Sequence, residues 1–215
     1  MTRRSPTADA AVPPADDGTP PRRPRRTDPD RRDRIIDACL DVIAEVGVAG
    51  ASHRRIAQAA GVPLGSMTYH FAGIDELLHE AFTRFATTVS AGFERRMAAA
   101  TDLASARAAV AAIILDDVFG TQRDQVLTHE LYTLAAREPQ YRALTTAWMA
   151  RSRAALERHF DPQTARLVDA LIEGLTIHYA LDDMPRDRDE VALAIARVTA
   201  GGAPDVAVRA ARPLS

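Results

Sequence analysis

The side chains best equipped for chemistry lie between Ser52 and Phe71, in SHRRIAQAAGVPLGSMTYHF. Arg54 and Arg55 stand near the start of one short segment. Each guanidinium can donate two parallel hydrogen bonds to a phosphate or to a guanine edge. Gly65 and Ser66 begin a second segment, where unpaired backbone N–H groups and a hydroxyl favour a phosphate. Leu64, Thr68, Tyr69 and His70 join them on the face that the apolar spacing leaves outward. Thr68 can offer its methyl to a thymine, and Tyr69 its phenol to a phosphate. His70 has two readings, a phosphate contact or a helix cap.

Other chemistries are poorly supplied. HELYT at His129 lacks the second histidine of a zinc-binding helix, and the six histidines show no paired ligand spacing, so no metal or cofactor is expected. There is no phosphate loop, dinucleotide glycine pattern or nucleophile elbow, which leaves a helical enzyme as a remote alternative. The single cysteine, Cys39, cannot form an internal disulfide. It reads as a small core residue, with redox sensing as the other reading. No apolar run approaches a membrane span of about 18 residues or more, and no signal peptide is visible, so a cytoplasmic location is expected.

The net charge of −2 hides a division. Residues 1–72 carry 11 arginines against 9 acids, and residues 73–215 carry 16 against 20. A weakly positive end on an acidic remainder suits a protein that touches phosphate with one end.

These side chains need rigid elements to hold them. Hydrophobic residues make up 47% of the chain but aromatics only 5%, so Ala, Leu, Val and Ile must fill an all-α fold. Residues 1–27 are rich in proline and arginine and are expected to be disordered. Arg22–Arg26 within them is either a solvated tail or an arm along phosphates and the minor groove. A first helix is expected from Asp28-Pro29 to Gly47. Ser52 then caps a second, to about Ala60. Gly61 reverses the chain with positive φ, Val62 plugs the corner, and Pro63 opens a third helix pinned by Met67 and Phe71. Longer helices are expected over 74–99, 104–118, 123–137, 139–160 and 163–181. A last one runs from an Asp187 cap to Gly201-Gly202.

The stretch VAGASHRRIAQAAGVPLGSMTYHFAGIDELL resembles the N-terminal domain of tetracycline-repressor-like (TetR-like) regulators. The matching positions are Ser52, Arg54, Ile56, Ala57, Ala60, Gly61, Val62, Gly65, Ser66, Tyr69, His70, Phe71, Asp75, Glu76, Leu77 and Leu78. Close matching spans residues 28–80, and beyond that the resemblance is one of helical layout and length. The family often carries Ser-Lys at Pro63-Leu64 and Lys at Ile74, near phosphates, and this chain does not.

The resemblance implies a helix-turn-helix binding a double-stranded DNA operator, a homodimer, a small-molecule effector and, most often, repression. The domains expected are an arm at 1–27, a DNA-binding unit at 28–73, a helical ligand-binding and dimerisation body at 74–201, and a flexible tail at 202–215. DNA contacts are expected from Ser52, Arg54, Arg55, Leu64, Gly65, Ser66, Thr68, Tyr69 and His70. A cavity in the body is expected at Phe85, Phe119, His129, Tyr132, Trp148, Met149 and His178, although His129, Tyr132, Trp148 and His178 also read as ordinary core or surface residues. The last two long helices, through Leu171, Gly174, Leu175, Ile195 and Val198, are expected to pair two subunits. The alternative is a constitutive DNA binder, or an activator, of the same fold.

Overall fold

Apolar residues recurring every three or four positions wind almost the whole chain into helices. The computed structural model describes residues 30–117, 121–183, 185 and 187–201. Among them are nine α-helices and no strand: α1 (Arg31–Gly50), α2 (His53–Ala59), α3 (Gly65–His70), α4 (Ile74–Ala98), α5 (Leu103–Ala112), α6 (Gln122–Arg137), α7 (Pro139–Leu156), α8 (Pro162–Leu181) and α9 (Arg188–Val198). The all-α expectation holds. Residues 1–27, with Arg22–Arg26, and the tail from 202 lie outside the described residues.

Two apolar cores share two helices. The first gathers Ile35, Cys39, Ile43, Ile56, Met67, Phe71, Phe82, Phe85, Leu131 and Trp148 from α1–α4, α6 and α7. The second gathers Phe93 and Met97 from the end of α4 with Val110, Ile113, Leu156, Phe160, Val168, Ile172, Val191 and Ile195. Both α4 and α7 therefore run through both cores. Ion pairs clamp α1 on two sides. Arg32 pairs with Glu80 of α4, Arg84 of α4 reaches Asp33 and Asp37, and Arg123 of α6 meets Asp41 at 2.8 Å.

Local chemistry sets the boundaries. Gly47 has φ +71°, so the regular part of α1 stops there although helical bonding resumes to Gly50. Asp161 accepts from the Gln163 and Thr164 amides at the start of α8, and Asp187 does the same for Asp189 and Glu190 at the start of α9. Four boundaries differ from expectation. The described α1 begins at Arg31, after Asp30, and Asp28-Pro29 lie outside the described residues. The helix over 104–118 changes at Ile113 into a π turn, Ile113–Asp117, in which Ile113, Ile114 and Leu115 are all buried. α7 ends at Leu156, and a tight turn carries Phe160 back into the core. α9 ends at Val198, where Arg107 of α5 donates to the Thr199 hydroxyl at 2.7 Å and its carbonyl at 3.1 Å, capping the helix from outside.

Candidate nucleic-acid interface and effector region

Four side chains fix the α2–α3 pair. Ile56, Ala57, Met67 and Phe71 are all at most 3% exposed. Ala57 is small where the turn folds back on α2, and the Val62 amide donates to its carbonyl at 3.0 Å. Gly61 takes φ +63°, the left-handed conformation expected of it. α1 closes over the end of α3, with the Arg32 guanidinium 5.2 Å from the centroid of the Phe71 ring. Glu76 of α4 accepts from the Ala72 amide at 2.6 Å and holds the exit.

What this scaffold turns outward is compact. Leu64 is 54% and Tyr69 81% exposed, and Gly65 and Thr68 are exposed beside them. The Thr68 hydroxyl leans on the Gly65 carbonyl at 3.3 Å. The Tyr69 and His70 rings meet edge to face at 4.9 Å. His70 is half-buried, between Tyr69 and Phe71. Ser66 departs from expectation. It is 8% exposed and turned inward beside the fully buried Met67.

At the start of α2, Gly50, Ser52, Arg54, Arg55 and Gln58 surround an open depression of about 330 Å³. Arg55 is partly occupied, since its Nη1 donates to the Gly50 carbonyl at 2.7 Å. Ser52 accepts from the Arg55 amide at a long 3.4 Å. Gln58 is not among the residues expected from the sequence, although it sits one turn beyond Arg54 on the same face.

In the body, three of the expected cavity residues come together. The Phe85 and Trp148 rings meet edge to face at 6.0 Å, and Tyr132 lies 6.2 Å from Trp148. The Tyr132 hydroxyl donates to Glu173 Oε1 at 2.8 Å. Burial, with Glu173 beside it, pushes the Tyr132 phenol well above its ordinary range. Burial also raises Glu173 against the opposing effect of that hydrogen bond, and raises Asp169, one turn earlier, against its ion pair with Arg153. Glu173 and Asp169 are absent from the expected set, yet they are the only acidic or arginine side chains in α8 between Leu167 and Leu181. Met149 and His129 are half-buried. Phe119 lies outside the described residues. His178 is not in this cluster. It is exposed in a groove of about 410 Å³ on the other side of α8, with Leu171, Gly174 and Leu175. A separate cavity of about 780 Å³ opens between α4, the π turn and the start of α6, and Val89 lines it.

The residues expected on the pairing face differ in burial. Leu171, Gly174, Leu175 and Val198 are half-buried at the surface of α8 and α9. Ile195 is corrected: at 1% exposure it is spent on its own subunit's core, because it follows the buried Val191 by one turn on the inner face of α9. Leu167, Leu181 and Leu193, outside the expected set, are 52%, 74% and 51% exposed.

Known proteins repeat this arrangement. The model of bacterial regulatory proteins of the tetR family matches residues 35–81, and the tetracyclin repressor-like C-terminal domain matches residues 102–201. The HTH-type transcriptional regulator BetI of Burkholderia mallei (strain NCTC 10229) is 30% identical over 166 residues, 73% of this chain and 85% of that one. The crystal structure of SCO7518 from Streptomyces coelicolor A3(2) is 60% identical, with TM-score 0.74 over 80% of this chain and 99% of that one. The multidrug binding protein EbrR complexed with ethidium is 35% identical, with TM-score 0.65 over 78% of this chain and 98% of that one. EbrR is also solved with proflavin and with malachite green. With both family models matched in order and relatives covered over most of their length, the chain belongs to the tetR family of bacterial transcriptional regulators and carries that family's DNA-binding helix-turn-helix.

Proposed function

We propose that this regulator works as a homodimer in the cytoplasm, repressing from a near-palindromic operator and leaving it when a small molecule enters the body. The outward face of α3 carries the reading. Leu64, Thr68 and Tyr69 stand clear of the core on a rigidly turned helix, with Arg54 and Arg55 of α2 placed for phosphates or base edges. Ser52, Gly65 and His70 contribute at the rim, and Ser66 supports the interface from within. Residues 28–73 form the DNA-binding unit and 74–201 the responding body.

Pairing is supported by the α8 surface. Leu167, Leu171, Gly174, His178 and Leu181 recur at alternating steps of four and three, the spacing of a seam that packs against another helix. Two copies joined there present two α3 helices to successive major grooves, about 34 Å apart on one side of the duplex. A ligand-responsive body is supported by the similarity to EbrR, which is solved with three organic dyes. An effector shifts the equilibrium only if it binds the off-DNA arrangement more tightly than the DNA-bound one. Footprinting of the full chain on genomic DNA tests the proposal. Protected half-sites related by a twofold, with centres about one helical turn apart, are expected. Protection without any repeated half-site would overturn the dimeric reading.

A further inference from the structure

The outward face of α3 is poorly equipped to tell one base pair from another. Discrimination in the major groove comes mainly from side chains with a fixed pattern of donors and acceptors: arginine or lysine on guanine, asparagine or glutamine on adenine, an acid on cytosine. From Leu64 to His70 the chain reads LGSMTYH and contains none of these types. Leu64 offers apolar contact. Ser66 is turned inward. The Thr68 hydroxyl donates to the Gly65 carbonyl at 3.3 Å, which leaves its methyl for a base. Tyr69 carries one hydroxyl, and His70 is half-buried between Tyr69 and Phe71.

The missing groups stand on α2. Between Val46 and Ala72, the side chains able to bond two base-edge atoms at once are Arg54, Arg55 and Gln58. Arg55 is engaged, since its Nη1 donates to the Gly50 carbonyl at 2.7 Å. The other two are not. Both are exposed, and among the described residues neither the Arg54 guanidinium nor the Gln58 carboxamide has a hydrogen-bond or ion-pair partner. They border the same open depression of about 330 Å³. One helical turn separates them, so their Cβ atoms lie about 6 Å apart, a span of about two base-pair steps. Ala59 and Ala60 follow Gln58 and are too small to screen it from a duplex.

We infer that Gln58 is a specificity-determining residue that reads an adenine from α2, its Oε1 accepting from the base N6 and its Nε2 donating to N7. Arg54, a fixed positive charge one turn earlier, seats α2 on the duplex, and α3 sets the fit of the head in the groove. The inference rests on DNA binding by the helix-turn-helix and names the helix that supplies the base code. It departs from the usual division of labour, in which the second helix of the pair does the reading.

The full-length protein and its Gln58→Ala and Gln58→Glu variants are each used to select sites from duplexes with randomised positions. Recovered sites are then remeasured by fluorescence anisotropy at one salt concentration. Wild type should enrich an A·T pair at a fixed place in the site, and replacing that pair should weaken binding by about tenfold or more. Gln58→Ala should lose the preference at that pair alone and keep the rest of the site. Gln58→Glu should move it toward cytosine, because a carboxylate accepts from the cytosine N4 amine. Both variants should keep the wild-type circular dichroism and melting temperature, since the side chain is exposed and unpartnered. Unchanged preferences in both variants overturn the inference. So does a uniform loss of affinity across all sequences, the mark of a phosphate contact. A wild-type chain that enriches no sequence instead sinks sequence reading by the whole head, and is told apart because no wild-type site then exists for the variants to alter.

Discussion

The carboxylate tip of Glu130 on α6 lies over Gly47 of α1, so a side chain added at Gly47 has to push it aside. A Cβ built on Gly47 falls 2.7 Å from Glu130 Oε1. The contact lies where α1 leaves its regular path, and α6 also reaches α1 through Arg123 and Asp41. The helix that carries Tyr132 toward Glu173 thus also touches the helix supporting α2 and α3. α4 is therefore not the sole mechanical link between body and head.

Gly47→Ala should destabilise the chain in two separable ways. The left-handed φ of +71° costs an L-residue about 1–2 kcal/mol, and the contact with Glu130 adds to it. In urea unfolding, the Glu130→Ala background should recover the steric part and leave the backbone part. Equal losses in both backgrounds would show that Glu130 yields freely.

Tyr69→Ala should abolish most operator binding while changing stability by less than about 0.5 kcal/mol, because the side chain is 81% exposed. Arg54→Ala should lower the slope of log affinity against log salt by about one. Arg55→Ala should weaken DNA binding and also loosen Gly50, whose carbonyl it holds. Binding titrations at four salt concentrations, with melting curves alongside, separate these effects.

Leu181→Arg and Leu193→Glu should yield folded monomers in sedimentation equilibrium, with operator affinity falling as pairing is lost. Ile195→Ala should behave differently. Its side chain is 1% exposed within one subunit, so the loss is a cavity of about 2–4 kcal/mol, visible as a lower melting temperature at every protein concentration.

Burial raises the Glu173 carboxyl, so its protonated form is favoured by the fold. The associated stability is present below the ordinary carboxyl range and is lost as pH rises through the raised value. Glu173→Gln should therefore melt higher than wild type at pH 7, with the gap closing toward about pH 4. A variant that melts lower at pH 7 would mean that the Tyr132 bond outweighs desolvation.

The Cys39 thiol is pushed up to about 12 by burial at 0% exposure. Native protein at pH 8 should resist iodoacetamide and label only as fast as it unfolds, in contrast to a redox sensor. Rapid labelling of folded protein would restore the sensing reading.

Much of the head is legible in the sequence because each of its requirements is local. Gly61 has to take positive φ, and the spacing of Ile56, Ala57, Met67 and Phe71 marks the buried face by itself. Ser66 is misplaced by the same reasoning, because three-residue spacing in a helix of only six residues does not reveal how close its neighbour lies. In the body the limit is different. Periodicity separates the apolar side of α9 from its polar side but not the subunit's own core from its surface, so Ile195 falls in the core and Leu193 is left exposed. The π turn is invisible to periodicity because three consecutive apolar residues fit the end of an α-helix equally well by composition. Glu173 does leave a trace. Two acids one turn apart in an otherwise apolar helical stretch are a signal whatever the fold.

The way α4 and α7 thread both cores bears on modularity. A chain cut after residue 73 would strip α1 and α3 of Leu77, Phe82, Leu127 and Leu131, which complete their apolar contacts. The DNA-reading segment is therefore no transplantable cassette. Its evolution is tied to that of helices far along the chain, and a change in its outward face must be tolerated by the side chains that pack those helices against it.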